Sequence, residues 1–299
     1  GWSNAAYKLE SAISVDGKNL NKDAAAREKM KRAIVKYGAV TFSYNNVREA
    51  YYYNPSEESG SSPHACTIIG WDDTIPAENF YPSKTTTDGG WLVKNSYSSL
   101  PYFYLSYEVT CEQIYAFDYV MNDKYDNNYF YDASATDSGI GSLLKIKQAA
   151  NVFKVKGDTE NEWIKAVSVG IVGGNTDCTV EVYSDVQDGS FNPQNAKLET
   201  TKTVYLEHGG FNCIELDKPV EVKKGSTFAV VVKVNNAYIT LSENEGESYV
   251  YRGGWTPSQA VRIKVFTKND EKNQNSIEFM DEGQVKVRGN SGIKQLIIT

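Results

Sequence analysis

The chain has 299 residues, with 31 basic and 38 acidic side chains and a formal charge of −7 at pH 7. That length favours two domains over one. The mild acidity, with no block of like charge, argues against a nucleic-acid surface or an anionic membrane as partner. No apolar run approaches the roughly 20 residues that a membrane-spanning helix needs.

In chain order, residues 1–20 read as an extended lead-in, with Leu9, Ile13 and Val15 on one side, Ser11 interrupting the alternation, and a turn at Asp16-Gly17. Residues 22–37 predict the clearest helix, because Met30, Ala33, Ile34 and Tyr37 share a face at helical spacing and Gly38 stops it. Ala39 to Tyr44 then predicts a strand, and residues 45–62 a polar loop carrying a tyrosine cluster. The run Pro63-His64-Ala65-Cys66-Thr67-Ile68-Ile69 closes on Gly70-Trp71-Asp72-Asp73, as a buried strand ending in a turn does. A second long polar loop, 74–88, precedes Gly89-Gly90-Trp91-Leu92-Val93-Lys94-Asn95-Ser96-Tyr97. Consecutive strands usually lie side by side, an arrangement that brings His64 near Asn95. An imidazole held by a fixed amide oxygen keeps one tautomer and one orientation, which general-base chemistry requires.

After Glu108 the pattern changes. The Tyr/Asn/Asp-rich stretch within 119–148 fits a linker or the opening loop of a new module. From Ala149 strand candidates follow without a helix between them: 151–155, 164–172, 178–185, 203–207, 211–222, 227–234, 237–241, 248–252 and 261–267. Such a series predicts an antiparallel sandwich or jelly roll. Residues 268–275 form a polar spacer, and 276–299 hold two short apolar runs, too few for a domain.

Four cysteines (Cys66, Cys111, Cys178, Cys213) and two histidines (His64, His208) give no zinc-ligand spacing, and no metal or other cofactor is expected. Cys178 and Cys213 sit in strand-like runs that would allow a bridge if the strands are neighbours; the alternative is four small buried hydrophobes. His208 falls in a turn and is expected in solvent. The acidic stretch Asp123–Asp132 lacks the spacing of a calcium loop. Trp255 and the tyrosines of the second module offer a sugar-stacking platform, set against plain packing, the commoner role of aromatic residues on strands.

These motifs carry a resemblance. His64-Ala65 followed by an apolar run and Gly-Trp-Asp-Asp resembles the histidine strand of papain-like cysteine peptidases. Lys94-Asn95-Ser96-Tyr97 resembles that family's asparagine motif, Tyr102–Glu108 its following aromatic strand, and Ile34–Val40 the helix end and strand that precede the histidine. The second module, through Ala149–Phe153, Ile164–Val167, Val180–Tyr183 and Lys224–Phe228, is similar to the lectin-like β-sandwich that often follows the peptidase domain in bacterial members. The resemblance implies an α+β, mostly β architecture: the β-rich, C-terminal half of a papain-like fold over 1–118, then a lectin-like sandwich over 119–268. Residues 269–299 would be a linker and the truncated start of a further segment. It implies a secreted or cell-surface endopeptidase acting on proteins or peptides by a Cys-His-Asn mechanism, with His64 as general base and Asn95 orienting it.

The departures are as specific. No cysteine is followed by tryptophan, all four follow His64, and no oxyanion-hole glutamine segment precedes them. A base and its orienting amide cannot run this reaction without a thiolate. Cys66 lies two residues beyond His64, about 7 Å along a strand, too far for direct proton exchange. Tyr97-Ser98 stands where the family favours Trp-Gly. With no initiator methionine or signal peptide, the chain as given reads as a processed or excised piece. It is then expected to be inactive alone, to pair with an N-terminal half carrying Cys and Gln, and to self-associate through the uncovered face without it. Two other readings stay open: a non-catalytic adhesion protein on a degenerate peptidase scaffold, and a glycan binder acting through the sandwich.

Overall fold

The computed structural model describes residues 5–17, 19–46, 51–55, 62–132, 145–187, 191–269, 276–279 and 285–288. The first half contains strands β1 (Tyr7–Ser14), β2 (Val40–Asn46), β3 (Tyr52–Asn54), β4 (Ser62–Asp72), β5 (Tyr81–Pro82), β6 (Gly90–Lys94), β7 (Tyr102–Ser106) and β8 (Glu112–Met121), with one helix, α1 (Ala24–Tyr37). The second half contributes β9 (Asn127–Tyr129), β10 (Gln148–Lys154), β11 (Asn161–Val172), β12 (Thr176–Ser184), β13 (Lys197–Leu206), β14 (Gly209–Lys223), β15 (Thr227–Val234), β16 (Tyr238–Ile239), β17 (Ser248–Tyr251), β18 (Trp255–Ser258) and β19 (Ile263–Lys268). A final hairpin, β20 (Ser276–Phe279) and β21 (Val285–Arg288), takes up part of the two apolar runs of the tail. The remainder of the tail, most of the 268–275 spacer and much of the tyrosine loop lie outside the described residues.

Helix α1 starts two residues later than its apolar spacing suggests, because Asp23 serves as its N-cap and accepts the Ala25 N–H at 2.9 Å. It ends as expected: Gly38 takes φ +81° and donates its N–H to Ile34 O at 2.8 Å. The helix buries Met30, Ala33 and Ile34 against one face of the sheet, where Val40 and Phe42 of β2, Ile68 of β4, Trp91 and Val93 of β6, and Phe103 and Leu105 of β7 complete the core. Each of the buried Val, Leu, Ile, Phe and Met side chains contributes about 1.5–3 kcal/mol by leaving water.

Strand β1 corrects one expectation. Ile13 and Val15 are buried, but Leu9 is 49% exposed. The pairing register of β1 with β8 shifts between Leu9 and Ser11, and that extra residue turns Leu9 to the opposite face. It also explains why Ser11 interrupts the pattern: the serine is buried and its hydroxyl accepts the Cys213 N–H at 3.1 Å.

The two halves share a sheet. β1 pairs with β8 on one side and with β14 on the other, through Ala12–Ser14 opposite Gly209–Phe211. The order β5-β3-β7-β6-β4-β2-β8-β1-β14-β11-β19-β9 therefore runs from the first half into the sandwich, with β16 added on β11. At the joint Gly210 takes φ +91°, and a Cβ there would come within 2.3 Å of Ala12 O, so only glycine lets the strands meet. Residues 118 and 119 both lie inside β8, and β9 pairs with β19 of the sandwich.

The second, six-stranded sheet, β13-β12-β15-β10-β17-β18, packs on the sandwich part of the first. Val167, Val169, Ile171, Ile263 and Val265 meet Val180, Val182, Phe228, Val230 and Val232 in the core between them. Asn151 staples the layers: fully buried, it donates to Val261 O and Ile263 O and accepts from the Ser248 hydroxyl. The strands extend beyond most of the expected runs, and β9 and β18 are added to them. All four cysteines are free thiols; Cys178 lies in the six-stranded sheet and Cys213 in the larger one, so the two do not face each other on neighbouring strands.

Candidate functional site

His64 is the third residue of β4 and stands opposite Tyr44 on β2. β4 also pairs with β6, Thr67 opposite Lys94, so Asn95 emerges beside the start of the histidine strand. The Asn95 N–H donates to Pro101 O at 2.9 Å, which fixes the backbone. Its side chain is buried, and Oδ1 accepts the Ser96 N–H at 2.8 Å. That backbone donor identifies the atom as the carboxamide oxygen. Nε2 of His64 lies 3.1 Å from the same oxygen, so this ring nitrogen carries the proton and donates.

Aromatic rings hold the imidazole. Tyr97 stacks on it at 5.1 Å and 15°, and Tyr44 meets it edge-on at 5.9 Å and 65°. Tyr97 thus covers the His64–Asn95 contact from one side while staying half exposed itself.

The thiol of Cys66, on the same strand face, reaches the Asn95 oxygen at 3.7 Å. It is buried behind the carboxamide, as the apolar-residue reading expects. Burial pushes the Cys111 and Cys178 thiols up to about 12 and raises that of Cys213 as well. These three are protonated and unreactive at neutral pH.

Two further groups position the site, and neither stood out in the sequence. Lys31, buried on α1, grips both oxygens of Asp73 at 2.8 and 3.0 Å and Glu28 at 2.7 Å, while the Tyr107 hydroxyl donates to Asp73 at 2.8 Å. The hydrogen bond from Lys31 holds the Asp73 carboxyl below the usual carboxylate range. The end of β4 is thereby locked to the helix. Burial alone would raise the Glu108 carboxyl, but hydrogen bonds from Thr86 and Thr87 prevail and bring it down to about 2. Glu108 thus pins the 74–88 loop that leads into β6. A lysine inside the apolar face of α1, with paired acids at a strand end, was the signal that sequence reading passed over.

His208 is a correction. It is not in solvent but 7% exposed, because the turn between β13 and β14 folds beneath the backbone of Gly174, whose Cβ position lies 2.9 Å from the His208 Cα. In the acidic stretch, Asp126 pairs with Lys268 at 3.0 Å and accepts the Asn269 N–H. No group of three or more metal-ligating side chains occurs among the described residues. Trp255 is half-buried, edge-on to Phe191 at 5.1 Å and to Tyr251 at 5.5 Å.

Residues 129–269 match the lectin-like domain family. That segment runs from the last residue of β9 through β19, the sandwich described above. Among solved structures, the cysteine protease and lectin-like domains of Cwp84, a surface-layer-associated protein of Clostridium difficile, match with a TM-score of 0.66 at 22% identity. The match covers 88% of this chain and 64% of that one, so this chain spans less than two thirds of its length. The clostridial cysteine protease Cwp84 after propeptide cleavage matches with a TM-score of 0.63 at 23% identity, over 88% of this chain and 71% of that one. At these identities the likeness is one of fold: mostly β, with a sandwich similar to the lectin-like family. No curated protein matches the sequence. Among the described residues, no helix is long and apolar enough to cross a membrane.

Proposed function

We propose that this chain supplies the histidine and asparagine of a papain-like cysteine endopeptidase and carries a lectin-like sandwich beside them, in an extracellular or cell-surface protein. The observation that carries the reading is the 3.1 Å contact of His64 Nε2 with an Asn95 oxygen whose identity the Ser96 N–H fixes. The 88% cover by Cwp84 supports it, since that is more than residues 129–269 alone supply.

In this mechanism Nδ1 of His64 faces a thiolate contributed by an N-terminal half that also carries the oxyanion-hole glutamine. The sulfur attacks the peptide carbonyl carbon, and the C–N bond breaks as the imidazolium gives its proton to the leaving amine. Water then cleaves the thioester, with His64 taking its proton. Asn95 holds the ring in the required tautomer throughout.

The test is hydrolysis of a fluorogenic peptide by the chain alone and after co-expression with the polypeptide encoded upstream of Gly1. The chain alone should be silent, the pair active, and His64→Ala in the pair silent again. Hydrolysis that survives His64→Ala would sink the assignment. An upstream sequence without a Gln…Cys-Trp segment would favour the adhesion reading.

A further inference from the structure

We propose that His208 is an acid-sensitive latch between the two halves: with its ring neutral, Glu207 holds Arg32 of α1, and a proton on the ring draws Glu207 away and loosens the joint. The latch lies outside the peptidase reading and does not depend on it.

Two turns and a helix meet at this residue. The turn between β13 and β14 carries both Glu207 and His208. The turn between β11 and β12 packs against it: a Cβ at Gly174 would lie 2.9 Å from the His208 Cα, and the Asn175 N–H donates to Glu207 O at 3.2 Å. Helix α1 reaches the same place from the first half, with Arg32 on Glu207 Oε1 at 2.5 Å and Lys29 on Asn175 Oδ1 at 3.5 Å. The next residue, Gly209, is already paired with Ser14 of β1, so the latch adjoins the strand pairing that joins the halves.

The ring is poorly placed to take a proton. It is 7% exposed, and Nδ1 is buried with no hydrogen-bond partner among the described residues. An imidazolium has an N–H on both nitrogens, and the one on Nδ1 would be left without an acceptor. The charges around it are mainly positive: Lys29, Arg32 and Lys36 from α1 against Glu207 from its own turn. Gly173–Asn175 bring none, and Asp16 and Arg262, on the adjoining groove, are one of each sign. Burial, with the three α1 cations, outweighs Glu207 and holds the imidazole below its usual pKa.

Glu207 is the shared part. Its Oε2 lies 3.8 Å from His208 Nε2, beyond hydrogen-bond reach, while Oε1 is held by Arg32. A charged ring competes with Arg32 for that carboxylate, and the tie from α1 to the sandwich weakens. In an opened joint the ring stands in water and takes its proton at the ordinary value of 6.5. Closure is therefore fully favoured above about pH 6.5 and weakens as pH falls below it.

Hydrogen exchange read by mass spectrometry at about pH 7.5 and about pH 5.5, corrected for the intrinsic pH dependence of amide exchange, tests this. Peptides covering 9–16 and 205–214 should lose protection by up to about tenfold at the lower pH, one unit below an ordinary histidine value. Peptides covering β10 and β15 should not. The chain has two histidines, so two controls suffice: His208→Gln should abolish the loss, and His64→Ala should keep it. If His208→Gln does not fold, NMR titration of the ring C–H protons in the unaltered chain decides, with His208 assigned by difference from His64→Ala and expected to titrate below the ordinary value. Equal protection at both pH values, a loss that persists in His208→Gln or spreads evenly over β10 and β15, or an ordinary titration of His208 overturns the proposal.

Discussion

The two halves of this molecule solve the burial problem differently. In the sandwich, two sheets turn their apolar faces toward each other, and Asn151 ties the layers together. In the first half a single helix covers one face of the sheet, and the other face shows Tyr115, Tyr119 and Met121 at 43%, 59% and 56% exposure. The sandwich is complete in itself, whereas the first half presents a surface of the kind that partners cover. Its polar site combines long-range hydrogen bonds with aromatic rings packed on His64.

Three substitutions sharpen that contrast. The largest effect belongs to the sandwich: Phe228→Ala removes a fully buried ring between the sheets and should cost about 3–5 kcal/mol in denaturant unfolding. A loss below about 1 kcal/mol would mean that the two layers close over the gap. Next, Asn95→Ala strands the Ser96 N–H and the His64 N–H and should cost about 1–3 kcal/mol. The imidazole nitrogen resonances should lose their single-tautomer pattern, and an unchanged spectrum would separate Asn95 from His64.

The smallest effect is that of Glu108→Gln, and it depends on pH. The folded carboxyl titrates at about 2 against an ordinary value of 4.5. Its stabilisation is therefore complete above about pH 4.5, fades as pH falls, and is gone below about 2. Melting curves of wild type and variant should converge on acidification; a constant gap would mean that Glu108 acts by shape alone.

What the sequence disclosed follows the same divide. Strands in the sandwich are legible because alternation and turn residues act locally, as in Thr227–Val234, which matches its expected range. The His64–Asn95 meeting was legible because β4 and β6, separated in sequence only by a loop and the two-residue β5, pair in space. Leu9 was misplaced because a bulge leaves no local mark, and Lys31 went unread because its partner Asp73 lies 42 positions away. His208 looked solvated because a Gly-Gly turn usually is; its burial depends on Gly174, in a different hairpin. Long-range closure, more than local propensity, is what the chain kept hidden.

Strand β1, held on both edges, also acts as a ruler. Hinging between the halves would tear the Ala12–Ser14 pairing and the Arg32–Glu207 bridge together. The histidine strand β4 and the sandwich strand β14 sit four places apart in one sheet, roughly 19 Å at ordinary strand spacing. Under the proposed function, a target held at the sandwich would meet the imidazole at a constant offset, so reach along it would be set by geometry rather than by a swinging linker.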